Sequence, residues 1–199
     1  MNNEFVFPRI VAQFCVGGTL TDCIRYGEGH INDTFKVTTK EGGREMHYIL
    51  QRINDRLFSD VAKLMHNIEL VTEFCQRSVE KRGGDPLREC LTLVRTKAGK
   101  AYYSDGKNYF RMYVFIEDAT SYQSVRDKQD FYESAVAFGN FANLLAEFDA
   151  SQLYEVLPDF HNTRKRYSNF EAAVQKDACG RAKEVEAEIA WVRAHSDLC

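Results

Sequence analysis

The sequence predicts an α+β fold, an antiparallel sheet carrying one helix and followed by a series of helices. Three observations predict it. Strand-like runs separated by turn residues dominate the chain as far as Glu117. A single segment of helical periodicity, starting at Asp60, interrupts them. Beyond Asp118 the apolar residues recur at helical spacing instead. The expected division is therefore residues 1–117 and residues 118–199.

Leu20–Tyr26 and Thr34–Thr39 read as strands flanking Gly27-Glu28-Gly29-His30-Ile31-Asn32-Asp33. Two glycines and an asparagine at such a junction suit a loop whose N–H groups converge on one point, a nest for phosphate oxygens. They also suit an ordinary hairpin turn. Tyr48–Ile53 is short and partly alternating, as a half-buried strand would be. Asp60 is placed to cap a helix in which Leu64, Ile68, Val71 and Phe74 recur at helical spacing up to about Arg77. Leu91–Arg95 and Tyr109–Ile116 read as further strands. Residues 100–110 read as a hairpin with Asp105-Gly106 at its turn.

In the second part, Asp130–Phe148 carries Phe131, Phe138 and Leu145 seven apart, flanked by Phe141 and Phe148. That broad apolar face predicts a core helix. Tyr167–Lys176 is a shorter helix. Gly180–Ala194 is charged but keeps Val185, Ile189 and Val192 on one stripe. Arg164-Lys165-Arg166 reads as a solvated helix start, and His161 as a capping or packing residue.

Bulk composition narrows the function. Hydrophobic residues make up 44% of the 199 positions and aromatics 13%, enough for a packed core rather than disorder. A net charge of -3 supplies no general basic field, so no nucleic-acid partner is expected. No run approaches the ~20 apolar residues of a membrane span. The N-terminus lacks a basic start and apolar run, so no membrane association is expected and the protein is read as cytoplasmic. None of the six cysteines is spaced as Cys-x-x-Cys, which argues against a zinc knuckle and for reduced, partly buried thiols. No proline lies in a Cys/Ser-x-Pro-x-Arg setting, which removes sulfatase chemistry.

The order of elements suits phosphoryl transfer, which needs phosphates cradled, a cation on them, a hinge for the base, and metal ligands with a base for the nucleophile. The glycine loop is the candidate cradle. The strand Tyr48–Ile53 offers Arg52 or Gln51 as its polar group, and Glu69 or Glu73 on the helix as the anchor of that cation. Tyr109–Ile116 runs into Glu117-Asp118, where a hinge would fall.

Gly27-Glu-Gly-His-Ile-Asn-Asp-Thr-Phe35, Tyr48-Ile-Leu-Gln-Arg-Ile-Asn54, Asn67-Ile-Glu-Leu-Val-Thr72 and Phe110-Arg-Met-Tyr-Val-Phe-Ile-Glu117 together resemble the aminoglycoside phosphotransferase and choline kinase superfamily. Within it they are most similar to the N-acetylhexosamine 1-kinases. Pro158-Asp-Phe-His-Asn-Thr-Arg164, Asp177 and Arg181 fit the same subgroup. The resemblance implies a protein-kinase-like N-terminal lobe, the first helices of a helical C-terminal lobe, and phosphate transfer from ATP, with Mg2+, to the anomeric hydroxyl of a sugar. It implies that Gly27, Gly29 and Asn32 contact phosphates, that His30 contacts the sugar, and that Val114 and Ile116 offer backbone hydrogen bonds to adenine.

Two departures from the family pattern stand out. A phosphate-binding lysine is replaced by Gln51-Arg52. Arg52 keeps the charge and can grip phosphate in a bidentate way, with Glu69 as its partner, although a one-residue change of register would turn Gln51 inward instead. The catalytic His-x-Asp-x-x-x-x-Asn loop is missing as well. His195-Ser196-Asp197 lies at the end of a charged helix rather than after an apolar strand. The expectation is accordingly a fragment, with catalytic and magnesium-binding residues beyond Cys199 and no transfer activity of its own. The competing expectations are a non-catalytic nucleotide- or ligand-binding module, and a kinase of another small alcohol such as choline, homoserine or an aminoglycoside.

Overall fold

A computed structural model describes residues 6–120, 122 and 124–199. Strands β1 (Thr19–Arg25), β2 (Asp33–Glu41) and β3 (Arg44–Arg52) form an antiparallel meander. The chain then leaves the sheet and returns as β4 (Tyr103–Ser104) and β5 (Tyr109–Val114). Strand β5 pairs with β3 and β4 with β5, giving the antiparallel order β1-β2-β3-β5-β4. The α+β expectation is met at this level.

Register assigns each residue its face. Phe35, Leu50 and Met112 stand opposite one another across β2, β3 and β5, and Thr34, Gln51 and Arg111 form the adjacent row. Because side chains alternate, the two rows lie on opposite faces. The first face is dry. Phe35, Val37, Tyr48, Leu50, Phe110 and Met112 are buried there against Phe7, Ile10 and Val11 of α1 (Phe7–Val11) and against Phe14. The sequence reading did not anticipate α1, a single turn with Pro8 in its first positions, where a missing N–H costs no hydrogen bond.

Helix α2 (Val61–Lys81) covers part of the other face. Asp60 caps it as expected, its carboxylate accepting the Lys63 N–H at 3.0 Å. The helix runs a turn past Arg77. Val61, Leu64 and Met65 pack with Ile53 and Ala101, while Cys75 and Val79 form a separate cluster with Cys90. A short turn, α3 (Pro86–Glu89), follows. Leu91–Arg95, expected as a strand, makes only the isolated bridge Leu93–Tyr113, flanked by hydrogen bonds from Val94 N–H to the Met112 carbonyl and from Val114 N–H to the Thr92 carbonyl. The expected hairpin turn is present. Gly106 takes φ 92°, and the Asp105 carboxylate accepts the N–H groups of Lys107 and Asn108.

Helix α4 (Lys128–Leu144) corrects another expectation. Its aromatic stripe is not core: Phe131 and Phe138 are 68% and 74% exposed. Only its end packs, with Leu144 and Leu145 against the Cys75 cluster.

The chain divides into two compact units after Val156. In the second, Leu157–Cys199, Asn162 caps α5 (Thr163–Lys176), and α6 (Glu186–Ala194) is tied to it by two bonds from Arg193 to Glu171, at 2.9 and 2.8 Å. Ile189 is the buried member of the expected α6 stripe, whereas Val185 is exposed. Among the described residues no helix is long and apolar enough to cross a membrane.

Candidate functional site

The loop between β1 and β2 stands at the end of the sheet where β3 finishes. Gly27 adopts φ 71°, a conformation that favours glycine, and a Cβ added at Gly27 or Gly29 would meet nothing within 4 Å. Among the described residues no backbone hydrogen bond involves Gly27–Asn32, so the loop's N–H groups are available to a ligand. Asn32 is partly committed. Its side-chain oxygen accepts the Asn54 N–H at 3.0 Å, tying the loop to the segment after β3. His30 is exposed in the loop.

Beside Tyr26, the residue before the loop, lies a cleft of about 430 Å³ whose walls also include Ile49, Gln51, Arg111, Tyr113 and Phe115. This volume falls within the ordinary range for small-molecule sites, about 300–1,000 Å³. Three polar side chains form a connected row on this sheet face. Gln51 donates from its amide to the Thr34 hydroxyl at 3.1 Å, and Arg111 donates from Nε to the Gln51 side-chain oxygen at 3.0 Å.

Of the expected pair, it is Gln51 that reaches the cleft. Arg52 projects from the opposite face, where its Nε lies 2.6 Å from the Asp33 carboxylate, which Arg25 also approaches at 3.3 Å. Glu69 does not anchor Arg52. It pairs with Arg95 at 2.6 Å, and Glu73 holds the same guanidinium at 2.8 Å. The reason is the strand's period of two. Helix α2 packs on the Gln51 face, out of reach of a side chain pointing the other way.

The connection after β5 offers backbone groups unequally. Val114 N–H already donates to the Thr92 carbonyl and Phe115 N–H to that of His47. The Ile116 N–H makes no hydrogen bond among the described residues. The segment is pinned at Glu117, by a 2.6 Å contact between His47 Nδ1 and the Glu117 carboxylate and by a hydrogen bond from Arg88 to the Glu117 carbonyl.

Arg111 was not singled out from the sequence. The signal was nonetheless there, an arginine in the middle of the apolar run Tyr109–Val114. It is half-buried, and burial pulls its guanidinium below the ordinary range, opposed by the neighbouring Tyr113. It also borders a second, more apolar cavity of about 580 Å³ between α2, β5 and α4, lined by Ile68, Val71, Cys75 and Phe141.

Cys23, Cys75 and Cys90 are not activated nucleophiles. All six thiols are free, and burial pushes those of Cys23, Cys75 and Cys90 up, Cys23 to about 12. A thiol so shifted is not a thiolate near neutrality. Among the described residues no group of three or more His, Cys, Asp or Glu side chains could hold a metal ion.

No protein-family model matches the chain. Its fold and site define an α+β protein with a five-stranded antiparallel sheet, a glycine loop between β1 and β2 whose backbone makes no backbone hydrogen bond among the described residues, and a largely apolar cleft on one sheet face that Gln51 and Arg111 enter.

Proposed function

We propose that this chain is the nucleotide-binding part of an ATP-dependent small-molecule kinase whose acceptor is an N-acetylhexosamine. The observation that carries the reading is a single cleft that joins Tyr26, at the start of the glycine loop, to the Val114–Ile116 connection through the face of β3 and β5. A nucleotide needs both ends, N–H groups for its phosphates and an unpaired backbone edge for its base. The loop Gly27–Asn32 supplies the first, with Gly27 and Gly29 leaving room for phosphate oxygens. Ile116 supplies a donor for adenine, and Val114 contributes its place in the wall. A meander, a crossing helix and two returning strands are also the order that a protein-kinase-like lobe requires.

In this reading ATP supplies the transferable phosphoryl group, and this chain binds and orients it. His30, exposed in the loop, faces the acceptor sugar. The magnesium ligands and the base for the sugar hydroxyl are not assigned to this chain, so no transfer step is assigned to its residues. Arg52, held by Asp33, braces the root of the loop.

The test is calorimetric titration of the 199-residue chain with ATP, alone and in the presence of GlcNAc, GalNAc, glucose, galactose or choline. Saturable ATP binding, with N-acetylhexosamines changing ATP affinity and choline leaving it unchanged, is the expected result. Failure to bind ATP or adenosine would overturn the nucleotide reading. Coupling to choline instead would overturn the sugar.

A further inference from the structure

Among the described residues, Arg111 is the one charged side chain in the wall of the cleft beside Tyr26. Each of Arg25, Arg52 and Arg95 has a carboxylate within 3.3 Å. Arg111 has none within ion-pair distance among the described residues. Its contacts are the Gln51 amide oxygen at 3.0 Å and the ring of Tyr113, whose centroid lies 5.5 Å away. A guanidinium carries five N–H donors in a planar fork and stays protonated in proteins. Gln51 takes one of those donors, through Nε, so the two terminal nitrogens keep theirs. Burial without a countercharge is costly, and the cost is recovered when an anion supplies the missing charge.

Neighbours fix the direction of the fork. Gln51 is itself held by Thr34, so Arg111 Nε is braced by a side chain that cannot easily turn away. The cross-strand register Thr34–Gln51–Arg111 sets the whole row on the cleft face. We propose that Arg111, braced by Gln51, is the cation of this cleft that receives phosphate oxygens of a polyphosphate ligand, the part the sequence reading gave to Arg52. The inference deepens the nucleotide reading and rests on it for the ligand's identity, although a free polyphosphate would present the same oxygens.

Gln51→Glu is the sharpest variant. It sets a carboxylate against Arg111 Nε, closing an internal ion pair in the place of the ligand, so it favours the folded chain while opposing the anion. Arg111→Lys, which keeps the charge and loses the fork, is the companion. Each would be titrated calorimetrically, in the whole chain, with ATP, adenosine and inorganic tripolyphosphate, alongside a thermal melt. Gln51→Glu is expected to raise the melting temperature and to weaken ATP and tripolyphosphate about 10- to 100-fold, with adenosine unchanged. Arg111→Lys is expected to weaken the same two ligands by a smaller factor.

Unchanged ATP and tripolyphosphate affinity in both variants would overturn the proposal while leaving the nucleotide reading intact. Tripolyphosphate binding that depends on Arg111, with no preference for ATP and no adenosine binding, would uphold the proposal and overturn the nucleotide reading. A wild-type chain that binds none of the three ligands overturns both.

Discussion

The two faces of one sheet behave as different materials. On the first, Phe35, Val37, Leu50, Phe110 and Met112 are closed against α1 with almost no accessible surface. On the second, one residue along each strand, Thr34, Gln51 and Arg111 form a hydrogen-bonded polar row that opens into a cleft. Neighbouring residues such as Leu50 and Gln51 therefore answer to different demands. The first face packs against α1, and the second carries this polar row beside its contact with α2. A single-residue change of register would exchange the two sets, so burial of the apolar row specifies the alignment of the polar one as well.

Substitution can break that contrast, and the largest effect is expected on the dry face. Phe110→Ala removes a ring with no exposed surface and should cost about 3–5 kcal/mol in urea denaturation. Equal stability in this variant and the wild type would mean that the first face is not the core. The same face contains a flaw. The buried Thr39 hydroxyl has no hydrogen-bond partner among the described residues, so Thr39→Val, nearly the same shape, should gain about 1 kcal/mol.

The Asp33–Arg52 pair at the margin of the dry face should show itself through pH. Burial pushes the Asp33 carboxyl up, but the hydrogen bonds and charges of Arg52 and Arg25 outweigh it and hold the group below its ordinary value. A depressed carboxyl contributes stability that is complete above the unfolded value, about 3.9, and is lost as pH falls through the folded value beneath it. Asp33→Asn should thus cost up to about 1 kcal/mol at pH 7, with the difference from wild type shrinking below about pH 3.9. A difference that holds constant down to pH 2 would show that the pair contributes nothing. The smallest change is expected away from both faces. Phe138→Ser on α4 alters a 74% exposed ring and should shift stability by no more than about 0.5 kcal/mol, in contrast to Phe110.

These contrasts mark what was legible in the sequence. Asp60 announced the start of α2 because a cap is local chemistry, and Asp105-Gly106 announced its turn for the same reason. The choice between Gln51 and Arg52 was not legible. In Tyr-Ile-Leu-Gln-Arg-Ile apolar residues fall on both faces, so alternation cannot set the phase, and only pairing with β2 and β5 does so. The partner of Glu69 was hidden likewise, because Arg95 reaches it from a segment that makes just one bridge to the sheet. The stripe on α4 misled because helical spacing reports which side of a helix is apolar, not whether anything covers it.

The irregular margins of the sheet have a consequence for the chain in crowded solution. A long, straight edge strand is an invitation for another molecule to add its own strand. Here one margin is β1, whose register shifts between Leu20 and Asp22 and whose residues are mostly polar or charged. The other is divided between the two-residue β4 and the single Leu93–Tyr113 bridge. Neither offers an unbroken row of donors and acceptors, so the sheet resists growing into a fibril from either side.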